Sequence, residues 1–138
     1  MERYKVFDHT ADLGLEIYGK TVKELFANAA FAVFDIITDL NRVKATEERT
    51  IIVEGEDWED LLVNYLREVL YMFNGEGLLL KEYSIIEIDP QHLQGRVSGE
   101  LFNPSKHRIN TEIKAVTYHQ VTVRETPEMW MGRVIFDV

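Results

Sequence analysis

Leu13-Gly14-Leu15-Glu16-Ile17-Tyr18-Gly19-Lys20-Thr21-Val22-Lys23-Glu24 changes its period halfway along. Its first six residues alternate Leu13, Leu15 and Ile17 with Gly14, Glu16 and Tyr18, the two-residue repeat of a strand with one face buried. Thr21 and Glu24 then stand three apart, the spacing of a capping box, in which the hydroxyl and the carboxylate each satisfy a free backbone N–H at a helix start. Leu25, Phe26, Ala29, Ala30, Val33, Ile36 and Ile37 follow as a wide helical stripe to about Thr38. A stripe of that width has to be buried against a sheet.

Outward from this unit, Tyr4 to Asp8 reads as a strand, which leaves His9-Thr10-Ala11-Asp12 in a turn or bulge between strands. A short strand is expected at Thr50 to Val53. A second helix begins near Asp57, carries Leu61, Leu62, Tyr65, Leu66, Val69, Leu70 and Phe73 inward, and closes at Asn74-Gly75, where glycine can turn left-handed. From Leu78 the pattern is of strands: Tyr83 to Ile88, Leu93 to Leu101, Thr111 to Arg124 and Trp130 to Phe136, parted by loops at Pro90, Pro104 and Pro127. Helices early and strands late predict an α+β fold. The expectation is a single domain over residues 1–138, with two α-helices packed on one face of a mixed or antiparallel β-sheet.

A length of 138 residues with 46% hydrophobic content suffices for one core, and no repeat or linker suggests a second. With no cysteine, the chain offers no disulfide, thiolate metal site or cysteine nucleophile. The charged start Met1-Glu2-Arg3-Tyr4-Lys5 and the shortness of apolar runs such as Leu78-Leu79-Leu80 predict a soluble, uncleaved, cytoplasmic protein with no membrane contact. Twenty-four acidic against 15 basic residues give a formal charge of −9, so direct nucleic-acid binding is disfavoured and a basic protein or a cation is the favoured partner.

No Gly-rich phosphate loop, His-Glu-x-x-His, Gly-x-Ser-x-Gly or Cys/His cluster occurs. Polar residues at strand ends remain. Asp8 and Asp12 taken alone are ordinary turn residues. The last strand, however, is too apolar at Val134-Ile135-Phe136 to lie anywhere but inside the sheet, yet it ends at once in Asp137 and the carboxylate of Val138. If the first and last strands are neighbours, Asp12, Asp137 and the terminal carboxylate of Val138 converge and repel unless a cation sits between them. Oxygen ligands select calcium, magnesium or manganese. His9 beside them is a weaker candidate.

A second group comprises Glu100, Asn103, Lys106 and His107 in one loop, followed by Lys114 and His119 in the next predicted strand. Alternation there sets Lys114 with Tyr118 on one side and Ala115, Thr117 and His119 on the other. These residues are either solvated loop and strand positions or an anion-binding or carboxylate-pairing set. Phe26, Phe31, Phe34, Tyr65, Phe73 and Trp130 fall at core spacings, while Trp58 stands among acidic residues and is expected to be exposed.

Asp8-His9-Thr10-Ala11-Asp12, Gly99-Glu100 with Lys106-His107, Ile113-Lys114-Ala115-Val116-Thr117-Tyr118-His119 and Val134-Ile135-Phe136-Asp137-Val138, in this order over the whole chain, resemble an archease. One departure is Asn103, where many members carry aspartate. The resemblance implies a protein cofactor of the RtcB-type tRNA-splicing ligase. That enzyme uses GTP and a divalent metal to join 2′,3′-cyclic phosphate or 3′-phosphate RNA ends to a 5′-hydroxyl, and archeases promote its guanylylation and multiple turnover. The same resemblance maps a metal site onto Asp12, Asp137 and Val138. His9, Glu100, Lys106, His107, Lys114 and His119 are carried as partner- or nucleotide-related positions, with no catalytic residue in this chain. Two other readings stand beside this one: a chaperone-like modulator of a tRNA-modifying methyltransferase, and a metal-dependent phosphoryl-transfer or hydrolytic enzyme using Lys114 or His119 as auxiliary groups.

Overall fold

The computed structural model describes residues 2–9 and 12–138, apart from the side chains of Asp8 and His9. Thr10 and Ala11 of the His-Thr-Ala-Asp run therefore lie outside the described residues. Strand β1 (Tyr4–His9) pairs antiparallel with β2 (Asp12–Gly19), and Thr21 caps helix α1 (Val22–Ile37) by accepting the Glu24 N–H at 3.1 Å. Glu24 in turn accepts the Lys20 N–H at 3.2 Å, so both halves of the predicted box are occupied. The far end of α1 is tied down by Thr38, whose hydroxyl donates to the Arg108 carbonyl at 2.7 Å.

Strand β3 (Glu47–Glu54) is longer than expected, extending three residues before Thr50. Asp57 then caps α2 (Trp58–Asn74) through the Asp60 N–H at 2.8 Å. The end of α2 departs from expectation. Gly75 is right-handed, with φ −94, and the left-handed residue is Gly77, with φ 75, whose N–H donates to the Phe73 carbonyl at 2.8 Å. Closure falls two residues later because Gly75 still donates helically to Tyr71.

Strands β4 (Leu78–Asp89) and β5 (His92–Leu101) form an antiparallel hairpin, and β3 pairs with β5 to complete a three-stranded sheet in the order β3-β5-β4. The rest of the chain returns to the first sheet. Strands β6 (Ala115–Val116), β7 (Thr122–Glu125) and β8 (Trp130–Asp137) join it in the order β1-β2-β8-β6, with β7 also paired to β8. The α+β class with antiparallel strands and two helices is thus observed, divided between two sheets. Helix α1 packs against both β2 and β4, so the sheets meet across a helix.

The predicted strand Thr111 to Arg124 is broken. Ala115 pairs with Asp137 and Thr122 with Arg133, so this segment spends more residues than β8 does between the two pairings, and the excess loops out around Gln120, with φ 54. The side alternation expected for Lys114 to His119 does not hold beyond Val116. Trp58 is also corrected: it packs against Phe26 and Trp130, at ring separations of 6.1 and 5.4 Å. Leu15, Ile17, Phe26, Phe34, Leu62, Tyr65 and Phe136 lie at the centre of the core, fully buried.

Candidate functional site

The sheet register builds the acidic end. Leu13 on β2 faces Phe136 on β8, and Leu15 faces Val134, with Leu15, Val134 and Phe136 fully buried. Strand alternation therefore turns the even positions of β2 and the odd positions of β8 to the opposite, outward face. The β2–β8 pairing ends at Leu13 and Phe136, and its register continued by one residue sets Asp12 opposite Asp137. Cβ atoms at directly opposed positions are about 4.5–5.5 Å apart, close enough for two carboxylates to repel. On one side His9 pairs with Asp12 through the backbone; on the other, Ala115 pairs with Asp137 and the Lys114 N–H donates to the Asp137 carbonyl at 2.8 Å. A single row across the sheet thus carries His9, Asp12, Asp137 and Ala115, with the exposed Val138 following. The His9 ring lies outside the described residues.

Among the described residues, no three His, Cys, Asp or Glu side chains gather into a metal-holding group. A cation at this row would rest on Asp12 and Asp137, oxygen donors suited to hard ions. Those donors fit calcium, magnesium or manganese in kind.

Glu100, Lys106 and His107 come together as one closed cluster. Lys106 Nζ donates to the two carboxylate oxygens of Glu100 at 2.9 and 2.8 Å, and the Lys44 N–H adds a bond of 3.1 Å. The buried His107 ring accepts the Asn103 N–H on Nδ1 at 3.0 Å, so Nε2 carries the proton that meets Glu100 at 2.9 Å. The Lys106 hydrogen bonds, the Lys44 N–H, the His107 hydrogen bond and the Lys106 charge together hold the Glu100 carboxyl down at about 2. Asn103 closes the turn, its side-chain oxygen accepting the Ser105 N–H at 3.0 Å, a task that needs no charge.

Lys114 lies apart from this cluster. It borders a cavity of about 260 Å³ against α2, with Arg67, Tyr71 and Asn74 on the opposite wall. Arg67 stacks over the Tyr118 ring at 4.7 Å and donates to the Val116 carbonyl at 3.3 Å, while the Tyr118 hydroxyl donates to Asp60 at 2.6 Å. His119 sits in the looped-out turn, its N–H donating to the Thr117 hydroxyl at 3.3 Å. Sequence reasoning passed over Arg67, Tyr71 and Asn74. Their spacings of four and three place them on one helix face, which was the available signal.

The chain matches the archease protein family (MTH1598/TM1083) over residues 4–138. It is similar to the archeases of Pyrococcus abyssi and Pyrococcus furiosus, each 37% identical over 142 residues and covered end to end with this chain. Among solved structures it resembles Methanobacterium thermoautotrophicum protein 1598, at a TM-score of 0.84 and 37% identity, with 100% of both chains covered. The fold of a Thermotoga maritima archease, described as a possible chaperone, is also similar, with a TM-score of 0.66 at 23% identity over 97% of this chain and 96% of that one.

Proposed function

Since the chain belongs to the archease protein family, we propose that it is a non-catalytic activator of an RtcB-type tRNA-splicing RNA ligase, promoting the ligase's GTP- and metal-dependent guanylylation and its multiple turnover. The observation that supports this reading is the opposition of Asp12 to Asp137 on an outward sheet face beside the chain end. Asp12, Asp137 and the Val138 carboxylate hold a divalent cation, calcium, magnesium or manganese. A bound ion of this class supplies positive charge to phosphate oxygens. The ligase supplies the nucleophile. Lys114, whose backbone joins Asp137, serves as a partner-contacting position, together with His119 and His9. Glu100, Lys106 and His107 act at one remove by fixing the loop that leads into that edge. With tRNA as the partner's substrate, the compartment is the cytoplasm.

The test is a guanylylation time course for the cognate ligase with and without this protein, in Mg²⁺ and in Mn²⁺. Stimulation is expected to fall sharply in Asp12→Ala and in Asp137→Ala while the fold survives, and full stimulation by both variants would sink the reading. A C-terminal tag converts the Val138 carboxylate to an amide, so unchanged divalent-ion affinity after tagging removes Val138 from the site. A second reading, a chaperone-like modulator of a tRNA-modifying methyltransferase, draws on the description of the Thermotoga maritima archease as a possible chaperone. It needs no cation. Partner stimulation that survives a chelator selects it.

A further inference from the structure

The outward face that carries Asp12 and Asp137 at one end carries the opposite charge at the other. The register aligns Lys5, Glu16, Arg133 and Thr122 in one row across β1, β2, β8 and β7, with Tyr18, Met131 and Arg124 in the next row. Arg124 and Arg133 are thus diagonal neighbours, close enough for two long side chains to reach one point. Between them opens a cleft of about 230 Å³, bordered by Glu16, Thr122, Met131 and the Gly132 backbone. Two guanidiniums border it against one carboxylate, in a chain whose net charge is −9.

Arg133 forms a long ion pair with Glu16, whereas Arg124 has no counter-charge among the described residues. Among the described residues, Arg124 is exposed and makes no ion pair or side-chain hydrogen bond. Arg133 stacks on the Phe7 ring at 3.9 Å, which fixes its plane, and its nearest carboxylate oxygen, on Glu16, is 3.8 Å away. Arg133 Nε is buried with no hydrogen-bond partner among the described residues. Glu16 is itself engaged by the Tyr18 hydroxyl at 2.9 Å.

We propose that Arg124 and Arg133 form a binding site for a phosphate group, a site independent of the proposed ligase role. A carboxylate is planar and singly charged, and one guanidinium fork satisfies it. Two guanidiniums approaching from different directions match a tetrahedral dianion. The cleft is smaller than the roughly 300–1,000 Å³ pockets that engulf whole ligands, so it takes the phosphate and leaves any attached group outside. That phosphate is free or belongs to a nucleoside monophosphate.

The experiment is a backbone NMR titration of the full chain with inorganic phosphate and, separately, with adenosine monophosphate, at constant ionic strength set by chloride. Shifts are expected at Thr122, Arg124, Gly132 and Arg133 with both. Tighter binding of the nucleotide assigns the site to a phosphate ester, and equal binding to free phosphate. Arg124→Gln, which disturbs no internal contact, is expected to weaken binding about tenfold or more, the worth of one charge-assisted hydrogen bond. Arg133→Gln should do the same, and if it fails to fold, Arg124→Gln decides alone. Wild-type affinity in Arg124→Gln, shifts confined to the Arg67–Lys114 cavity, or no saturable shift at all would overturn the proposal.

Discussion

Glu100 receives three donor groups, from Lys106, His107 and the Lys44 backbone, and each prefers the charged carboxylate. Its folded value of about 2 lies below the ordinary 4.5, so the folded state binds fewer protons than the unfolded one at intermediate pH. The stabilisation is therefore complete above about 4.5 and is lost as pH falls toward 2. Glu100→Gln is expected to lower the denaturation midpoint at pH 7 and to converge with the wild type as the acid limb is descended. A gap that stays constant to pH 2 would refute the assignment. His107→Ala removes a fully buried ring that stacks near Phe102 and leaves the Asn103 N–H without its acceptor, a loss of about 2–4 kcal/mol measured by urea unfolding. Glu100, Lys106 and His107 were legible as a polar group because they stand close in sequence. That they satisfy one another was not, since a spacing of six or seven residues across a turn does not fix geometry and the Lys44 donor arrives from 56 residues away.

At the scale of elements, periodicity served well wherever a segment had one buried face. Strand β2, helix α1 and helix α2 appear where their stripes and caps predicted, because Thr21 and Asp57 satisfy the first free N–H groups locally. It served badly between Thr111 and Arg124. Apolar Val116 and Val123 both point inward, yet they pair at different registers on β8, and no local pattern announces the residues that loop out between them. The division into two sheets was equally hidden, for it depends on α1 touching both β2 and β4. The end of α2 gives a clean test. A methyl group added at Gly77 meets nothing within 4 Å, so Gly77→Ala costs only the left-handed backbone, about 1–2 kcal/mol. The urea midpoint should fall by that free energy divided by the slope, with the slope itself unchanged. An unshifted midpoint would contradict closure of the helix at this residue.

For the whole molecule, the consequential contact joins segments near opposite ends of the chain. Asp12 and Asp137 become neighbours only when β8 inserts beside β2, so a cation held by both binds the folded state and finds no such pair in the unfolded one. Folding and binding are then linked: a ligand at a hundred times its dissociation constant stabilises by about 2.7 kcal/mol. Calcium, magnesium or manganese is therefore expected to raise the melting temperature in proportion to the logarithm of its concentration, and a chelator to reverse the rise. Asp137→Asn should lose most of the ion-dependent rise while melting, in the chelator, close to the wild type, because the amide keeps the shape of the side chain it replaces. The two halves of that outcome separate a cation site from a generally weakened sheet edge: a mere structural role for Asp137 predicts a lower melting temperature in the chelator and an unchanged response to the ion.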